Sequence, residues 1–141
     1  MGLRFALITD IAAMHAVRMS VRENRLSDPT RVTEDDYRCF MEERGCGWVY
    51  DSDNEIVGFG VVDLVDRNIW ALFVDPQHEG KGIGSALLNA MVDHAFKKGS
   101  EPLWLTTSPG TRAERFYRQS GWREAGIAAD GELRFELSAL G

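Results

Sequence analysis

The apolar residues in the first third of the chain predict a strand followed by two helices. The strand is predicted over residues 3–7. A helix is predicted over residues 9–21, because its apolar residues recur at helical spacing: Ile11, Met14, Val17 and Val21. A second helix is predicted to begin at Thr33 and Asp36, which form a capping pair, and to end at Gly45.

The pattern then changes to that of strands. Two strands are predicted on either side of a turn at residues 51–54, and a third over residues 67–74, where the apolar run is continuous and Pro76 ends it. A continuous run is typical of a central strand that is buried on both faces. A long helix is predicted to follow as far as Lys98, with one apolar stripe formed by Ile83, Leu87, Leu88, Met91, Val92 and Ala95.

The last third of the chain predicts a strand, a short helix and a hairpin. The strand covers residues 102–107, the helix is capped by Thr111 with Glu114 and ends at Gly121, and the hairpin joins residues 122–127 to 132–137. The full order is strand, helix, helix, three strands, helix, strand, helix and two strands. This order predicts an α+β fold with a mixed sheet and helices on its faces, in a single domain over residues 1–141.

Charge and composition exclude several classes of protein. The net charge of −6 argues against nucleic-acid binding, which requires a basic surface. No apolar run approaches the roughly 18 residues of a membrane span, and the first residues lack a secretory layout, so a cytoplasmic protein is predicted. Cys39, Cys46 and the three histidines lack the spacing of a metal site, so no metal is predicted.

A glycine-rich segment joins the predicted central strand to the long helix. It reads QHEGKGIG over residues 77–84, with glycines at 80, 82 and 84. The start of a helix has unpaired N–H groups and a partial positive charge, and glycines let an anion approach the backbone. The segment therefore predicts a phosphate-binding loop, with a simple tight turn as the alternative. Its spacing fits neither the P-loop nor the dinucleotide fingerprint, because Gly82 follows Lys81 and because Ser85 and Leu87 replace the required glycine.

One family fits this segment. Gln77-His78-Glu79-Gly80-Lys81-Gly82 resembles the [Gln/Arg]-x-x-Gly-x-[Gly/Ala] signature of the GCN5-related N-acetyltransferases, the GNAT superfamily. The segment TRAERFYRQSGW at residues 111–122 resembles the later A-x-x-F-Y-x-x-x-G-[F/W] motif of the same family. The order of elements also matches along nearly the full chain. The resemblance implies a mostly antiparallel central sheet of about seven strands with helices on both faces.

The resemblance also implies an activity, which is transfer of an acetyl group from acetyl-CoA to a primary amine of a small molecule or peptide. The amine would attack directly in a ternary complex. Backbone N–H groups of the glycine loop would bind the pyrophosphate of acetyl-CoA, at Glu79, Gly80, Lys81, Gly82, Ile83, Gly84 and Ser85. The Lys81 side chain would either add charge there or be solvated. On the central strand, Leu72, Phe73 and Val74 would contact the pantetheine, and the Val74 N–H would polarise the thioester carbonyl.

The second motif supplies the remaining implied residues. Tyr117 matches the tyrosine that protonates the departing thiolate, and a core aromatic is the alternative role. Phe116 beside it is expected to contact the same co-substrate. Thr111 stands where the family often has an Asn that contacts CoA, and a helix cap is its alternative role.

The chain departs from the family at the general base. Many relatives have a Glu on the central strand, whereas residues 68–73 contain no acid. Asp63, Asp66 and Glu23 are possible substitutes, although each is more typical of a surface carboxylate. No single essential base is therefore predicted. The missing acid leaves a non-catalytic acyl-CoA-binding module of the same fold as the alternative. A phosphate-binding or nucleotide-binding protein of another class is the third.

The residues expected to bind the acceptor amine do not specify which amine it is. The segment over residues 21–37 contains Arg22, Arg25 and Arg31 among several acids. Arginines suit a carboxylate on the substrate and acids suit a polyamine, so the mixed charge does not choose between them. Trp48 and Trp70 suit either the acceptor pocket or the core. The closing hairpin often mediates dimers in the family, and the pattern of residues 132–137 suits an edge strand, so a homodimer is also considered.

Overall fold

The computed structural model describes residues 2–21 and 31–139, whose strands form one seven-stranded sheet. In chain order the strands are Gly2–Phe5 (β1), Gly45–Ser52 (β2), Glu55–Asp63 (β3), Asn68–Val74 (β4), Leu103–Thr107 (β5), Arg123–Ile127 (β6) and Leu133–Leu137 (β7). Across the sheet they lie in the order β1-β2-β3-β4-β5-β7-β6. Only β4 and β5 pair in parallel. The predicted mixed and mostly antiparallel sheet is confirmed.

Four α-helices of the described residues cover the two faces of this sheet: Ile11–Ser20 (α1), Glu34–Arg38 (α2), Ile83–Lys98 (α3) and Arg112–Gln119 (α4). Helices α1 and α2 bury their apolar sides on one face, around the fully buried Phe59. Helices α3 and α4 do the same on the other face, around Met91 and Phe135. The predicted element order and the helices on both faces are confirmed.

The N-terminal cap of α2 is as predicted, whereas the continuation of α2 and the cap of α4 differ from the prediction. Thr33 and Asp36 form the predicted reciprocal cap, in which the Thr33 N–H donates to the Asp36 carboxylate at 2.8 Å. Beyond α2 the chain continues as a π-helical turn, Cys39–Arg44, because apolar periodicity does not distinguish the two kinds of helix. At α4 the predicted capping box is only half formed. Thr111 caps the helix, whereas the Glu114 carboxylate accepts the N–H of Gly110, at 2.7 Å, instead of that of Thr111.

Two strand predictions are corrected. Strand β1 ends at Phe5, two residues earlier than predicted, because Ile8–Asp10 already forms a helical turn that leads into α1. Strand β7 is not an edge strand, since it lies between β5 and β6, and β6 forms the exposed edge. The predicted turn between β2 and β3 is confirmed, with Asp53 and Asn54 both at positive φ.

Strand β4 is central, as predicted, but it is not buried on both faces. Ile69 and Ala71 are buried, whereas the end of the strand is half-buried. On β3, the neighbours Val61 and Val62 pair with Ala71 and Ile69, so Trp70 is the extra residue of a β-bulge. The ladder between β4 and β5 has a single pair, Asn68 with Trp104. The two strands therefore separate beyond that pair, and the gap exposes the end of β4.

None of the helices in the described ranges is long and apolar enough to cross a membrane. In the same ranges, no group of three or more His, Cys, Asp or Glu side chains is placed to hold a metal ion. Cys39 and Cys46 are free thiols.

Candidate active site

The glycine loop turns the chain from β4 into α3. Gly80 and Gly82 have φ angles of 78° and 82°, in the left-handed region that residues with a Cβ seldom adopt. A Cβ at either position would meet no atom within 4 Å, so both glycines border open space. Gly82 precedes the first residue of α3, and no side-chain hydrogen bond caps the helix there. The first N–H groups of α3 are therefore available to a ligand.

The third glycine plays a different part. Gly84 lies inside the first turn of α3, where a Cβ would make ordinary contacts, 3.6 Å from Phe116 and 3.8 Å from Val74. Backbone conformation thus explains the first two glycines and does not explain Gly84.

A cavity of about 720 Å³ lies between this loop, the end of β4 and the start of α4; we call it the first cavity. Most of the predicted site residues line it: Leu72, Phe73, Val74, Glu79, Gly80, Gly82, Ile83, Gly84, Ser85, Phe116 and Tyr117. Arg112 also lines it and forms an ion pair with Glu79 at 3.4 Å. Open N–H groups, a nearby guanidinium and an apolar strand fit a ligand that joins a phosphate to a long, mostly uncharged arm.

The N–H of Val74 faces the gap beside β4. The next residue, Asp75, donates its N–H to the Val57 carbonyl of β3 at 2.8 Å. Successive N–H groups of a strand point to opposite edges, so that of Val74 points away from β3, toward the side on which β5 has separated. This is the direction required of a donor to a ligand carbonyl between the two strands.

A second cavity of about 600 Å³ lies in the gap between β4 and β5, with residues of both strands on its wall. The two cavities share Leu72, Phe73, Ala113 and Tyr117. Tyr117 is buried, and its ring packs against Phe116 and Trp122 with centroid distances of 5.3 and 5.8 Å. Burial raises the pKa of Tyr117, so its hydroxyl keeps its proton at neutral pH. A protonated hydroxyl group thus belongs to a residue that lines both cavities.

Comparison with known proteins agrees with this geometry. The model of the acetyltransferase (GNAT) family matches residues 11–122, which include the glycine loop and Tyr117. The chain belongs to this family. Among solved structures, it is similar to ribosomal-protein-S18-alanine N-acetyltransferase from Escherichia coli, with a TM-score of 0.75 and 21% identity over 99% of this chain and 95% of that one. It is also similar to PaiA N-acetyltransferase from Thermoplasma acidophilum in complex with coenzyme A, with a TM-score of 0.80 and 14% identity over 99% and 100% of the two chains.

Two curated relatives are similar to this chain over part of their length. Ribosomal protein bS18-alanine N-acetyltransferase of Haemophilus influenzae is 27% identical over 77 residues, which cover 53% of each protein. Streptothricin acetyltransferase of Streptomyces lavendulae is 33% identical over 100 residues, which cover 62% of this chain and 53% of the relative. The chain therefore spans about half the length of these relatives.

Two residues of the predicted GNAT site do not line either cavity. Lys81 is exposed, which fits the alternative of a solvated lysine. Thr111 is buried, and both functions of its hydroxyl are used inside the protein. It donates to the Ser108 carbonyl at 2.7 Å and accepts the Glu114 N–H at 3.2 Å. The structure thus gives Thr111 the role of a helix cap.

Two of the three candidate bases, Asp63 and Asp66, lie away from both cavities. Asp63 is buried, and its carboxylate accepts from the Arg44 guanidinium at 2.9 and 3.1 Å and from two backbone N–H groups. Asp66 is exposed and pairs with the same arginine at 2.9 Å. Neither lines a cavity. Glu23 lies outside the described residues, as do Arg22 and Arg25. The absence of a single essential base therefore stays a prediction.

Sequence reasoning missed three charged residues of the second cavity: Arg18, Asp130 and Glu132. A signal for Arg18 was present, since it stands four residues after Met14 on the apolar side of α1. Asp130 and Glu132 lie in the β6–β7 turn, and nothing in the sequence places that turn beside β4. Of the two candidate tryptophans, Trp70 lines this cavity, whereas Trp48 is buried against Phe5 and His94.

Proposed function

We propose that the protein is an N-acetyltransferase that uses acetyl-CoA to acetylate a primary amine of a small molecule or peptide, by direct attack in a ternary complex. The observation that carries the proposal is the meeting of two cavities at Tyr117. One cavity has the glycine loop on its wall, and the other has charged side chains suited to a polar acceptor. Acetyl-CoA would then occupy the first cavity and the acceptor amine the second, and their reacting ends would meet beside Tyr117.

Acetyl-CoA supplies the activated acetyl group. In this proposal, the backbone N–H groups of residues 79–85 bind its pyrophosphate, and Arg112 adds positive charge beside them. The half-buried end of β4 receives the pantetheine along Leu72, Phe73 and Val74. The Val74 N–H, which faces the gap, polarises the carbonyl to be attacked.

Tyr117 is proposed to hold the proton that the leaving sulfur requires. Its raised pKa keeps the hydroxyl protonated, and its burial keeps it oriented. A tyrosine hydroxyl with its ordinary pKa of about 10 is closer to the basicity of a thiolate than a carboxylic acid is, and the raised pKa of Tyr117 makes it a weaker donor until the thiolate forms beside it. The amine loses its proton to water in the second cavity and not to one essential side chain.

A thermal-shift measurement tests the proposal first, with acetyl-CoA, CoA, ATP and NADH side by side. A ligand at about 100 times its Kd stabilises the folded state by roughly 2.7 kcal/mol, which is a shift of several degrees for a chain of this size. The expected result is a shift with both CoA species and none with NADH. If neither CoA species at millimolar concentration shifts the transition, the glycine loop is only a turn and the proposal fails.

The second candidate is an acyl-CoA-binding module of the same fold without turnover. The observation that favours it is the lack of any acid on β4, where relatives often have one. Both candidates bind acetyl-CoA, so steady-state release of free CoA thiol with a panel of amines separates them. Turnover with any amine supports the enzyme. Binding without turnover across the panel supports the module.

A homodimer through the closing hairpin remains a proposal based on family resemblance. The exposed edge strand β6 would be available for it. Light scattering coupled to size-exclusion chromatography measures the mass in solution directly.

A further inference from the structure

Arg18 is a charged residue in an apolar setting. It lies on α1 among the residues that pack against the sheet, and it is only 9% exposed. Within the described part of the chain, its Nε and Nη1 atoms are buried and have no hydrogen-bond partner. Buried guanidinium donors without acceptors are costly, and such groups in folded proteins normally have a partner.

Aromatic rings hold this guanidinium in place. Its Cζ lies 5.2 Å from the ring centroid of Trp70 and 4.9 Å from that of Phe73. Trp70 is in turn stacked on Phe40 at 4.3 Å. A planar guanidinium contacts aromatic rings through its faces, which leaves the N–H groups in its plane available. Ring contacts and a hydrogen bond with Tyr37 therefore position Arg18, while its Nε and Nη1 have no partner among the described residues.

No ion pair among the described residues neutralises Arg18. Burial raises the pKa of Tyr37, and a hydrogen bond with the Arg18 guanidinium opposes this shift; the Tyr37 hydroxyl is neutral and leaves the charge of Arg18 in place. The carboxylates of the second cavity have other contacts. Asp130 accepts the Glu132 N–H at 3.0 Å, and Glu132 accepts from the Ser108 hydroxyl at 2.8 Å. Among residues 2–21 and 31–139, no ion pair joins either carboxylate to Arg18.

The charged residues that line the second cavity are thus Arg18 from α1, the exposed Arg31, and two carboxylates from the β6–β7 turn. Phe73, which contacts Arg18, also lines the first cavity, so a group bound at Arg18 lies beside the junction of the two cavities. A ligand that satisfies both kinds of charge has an amine and a carboxylate in one molecule.

We infer that the acceptor is an amine that also carries a carboxylate, and that Arg18 binds this carboxylate through its open N–H groups. The inference rests on the proposed acetyltransferase function and specifies its substrate class. The amine, which is an ammonium ion in solution, is drawn to the cavity by Asp130 and Glu132. The carboxylate at Arg18 then fixes which end of the molecule reaches the junction.

The test compares amino acids with their own carboxamides. Glycine, β-alanine, 4-aminobutyrate and the common L-α-amino acids are each paired with the corresponding amide, and kcat/KM is measured by release of CoA. Wild-type protein is expected to prefer at least one acid over its amide by about 10-fold or more, the effect of a hydrogen bond to a charged group. Arg18→Gln is expected to bring that ratio close to one.

An amino acid and its carboxamide differ in the basicity of their amines. This difference is the same for both proteins, so it cancels when the acid-to-amide ratio of the wild type is compared with that of Arg18→Gln. Arg18→Lys keeps the charge and is expected to retain part of the preference. Arg38→Gln is the matched control, because Arg38 is exposed on α2, lines neither cavity and pairs with Glu34, one turn earlier on the same helix, at 2.9 Å. This control is expected to leave the ratio unchanged.

The outcomes separate this inference from the function on which it rests. Turnover of amides as fast as acids throughout the panel overturns the inference and leaves the acetyltransferase function standing. If no amine turns over, binding of the same pairs to the CoA-loaded protein is measured by calorimetry. Tighter binding of an acid that Arg18→Gln abolishes supports the inference, whereas equal or absent binding of the acids overturns it. Absence of CoA binding itself overturns the proposed function.

Discussion

Gly82→Ala separates the two explanations of the glycine loop, a phosphate-binding site and a simple turn. The residue has a φ of 82°, and an added Cβ would meet no atom within 4 Å. The cost to folding is therefore conformational and not steric. A residue with a Cβ in the left-handed region costs about 1–2 kcal/mol. For a chain of 141 residues this lowers Tm by roughly 3–8 °C.

The effect on binding is the part that discriminates. The new methyl group would project into the open space in which we place the pyrophosphate, next to the first N–H groups of α3. Loss of one hydrogen bond to a charged group costs about 1.5–3 kcal/mol, so the Kd for CoA should rise by about 10-fold to 150-fold. The assay is calorimetric titration of CoA, with thermal unfolding of the free protein measured in parallel.

Gly121→Ala is the matched control for this experiment. Gly121 has a φ of 89°, also meets no atom within 4 Å, and lines neither cavity. It should lose a similar amount of stability and bind CoA as the wild type does. If Gly82→Ala were destabilised like this control but bound CoA within about twofold of the wild type, the loop would be only a turn.

Three further predictions concern proton transfer and pH. Tyr117→Phe should lower kcat by about 100-fold and leave acetyl-CoA affinity within a few-fold, as expected for loss of a general acid; unchanged kcat would make the residue a core aromatic. No one of Asp63→Asn, Asp66→Asn and Glu132→Gln should abolish turnover; complete loss in one of them, with fold and acetyl-CoA binding intact, would identify an essential base. Burial and nearby lysines lower the pKa of His94 from 6.5, so the unfolded chain takes up its proton first, and folding stability should fall as pH drops through that value. Denaturant titrations at several pH values should show a smaller loss in His94→Gln, and an identical loss would contradict this assignment.

The sequence predicts the fold well wherever local chemistry decides the structure. The cap at Thr33 depends on residues three apart, and the turn at Asp53 and Asn54 depends on residues that tolerate positive φ. Apolar periodicity likewise locates α3 and β2. The π-helical turn after Arg38 was not predictable, because apolar periodicity does not distinguish a π-helical turn from an α-helical one.

The candidate site is predictable to the extent that one segment contains it. Gly80 and Gly82 were recognisable because loop, strand and helix follow one another in sequence. Arg18 and the pair Asp130 and Glu132 come from two distant parts of the chain, and only the tertiary fold brings them to one cavity. Thr111 shows the opposite case. The family motif suggests a contact with CoA at this position, but the Thr111 hydroxyl makes its hydrogen bonds within its own turn.

Strand β4 shows why a correct pattern led to a wrong statement about burial. Its continuous apolar run indicates that both faces avoid water, yet Leu72, Phe73 and Val74 are only half-buried. The bulge at Trp70 and the single pair between β4 and β5 open the sheet just where the apolar run continues. Each Å² of apolar surface that stays exposed to water on this strand lowers the stability of the folded protein by about 25 cal/mol relative to its burial. In our proposal, bound acetyl-CoA covers the exposed end of this strand and completes its burial. The continuous apolar run therefore overstates the burial of β4 in the free protein and describes β4 correctly in the complex with acetyl-CoA.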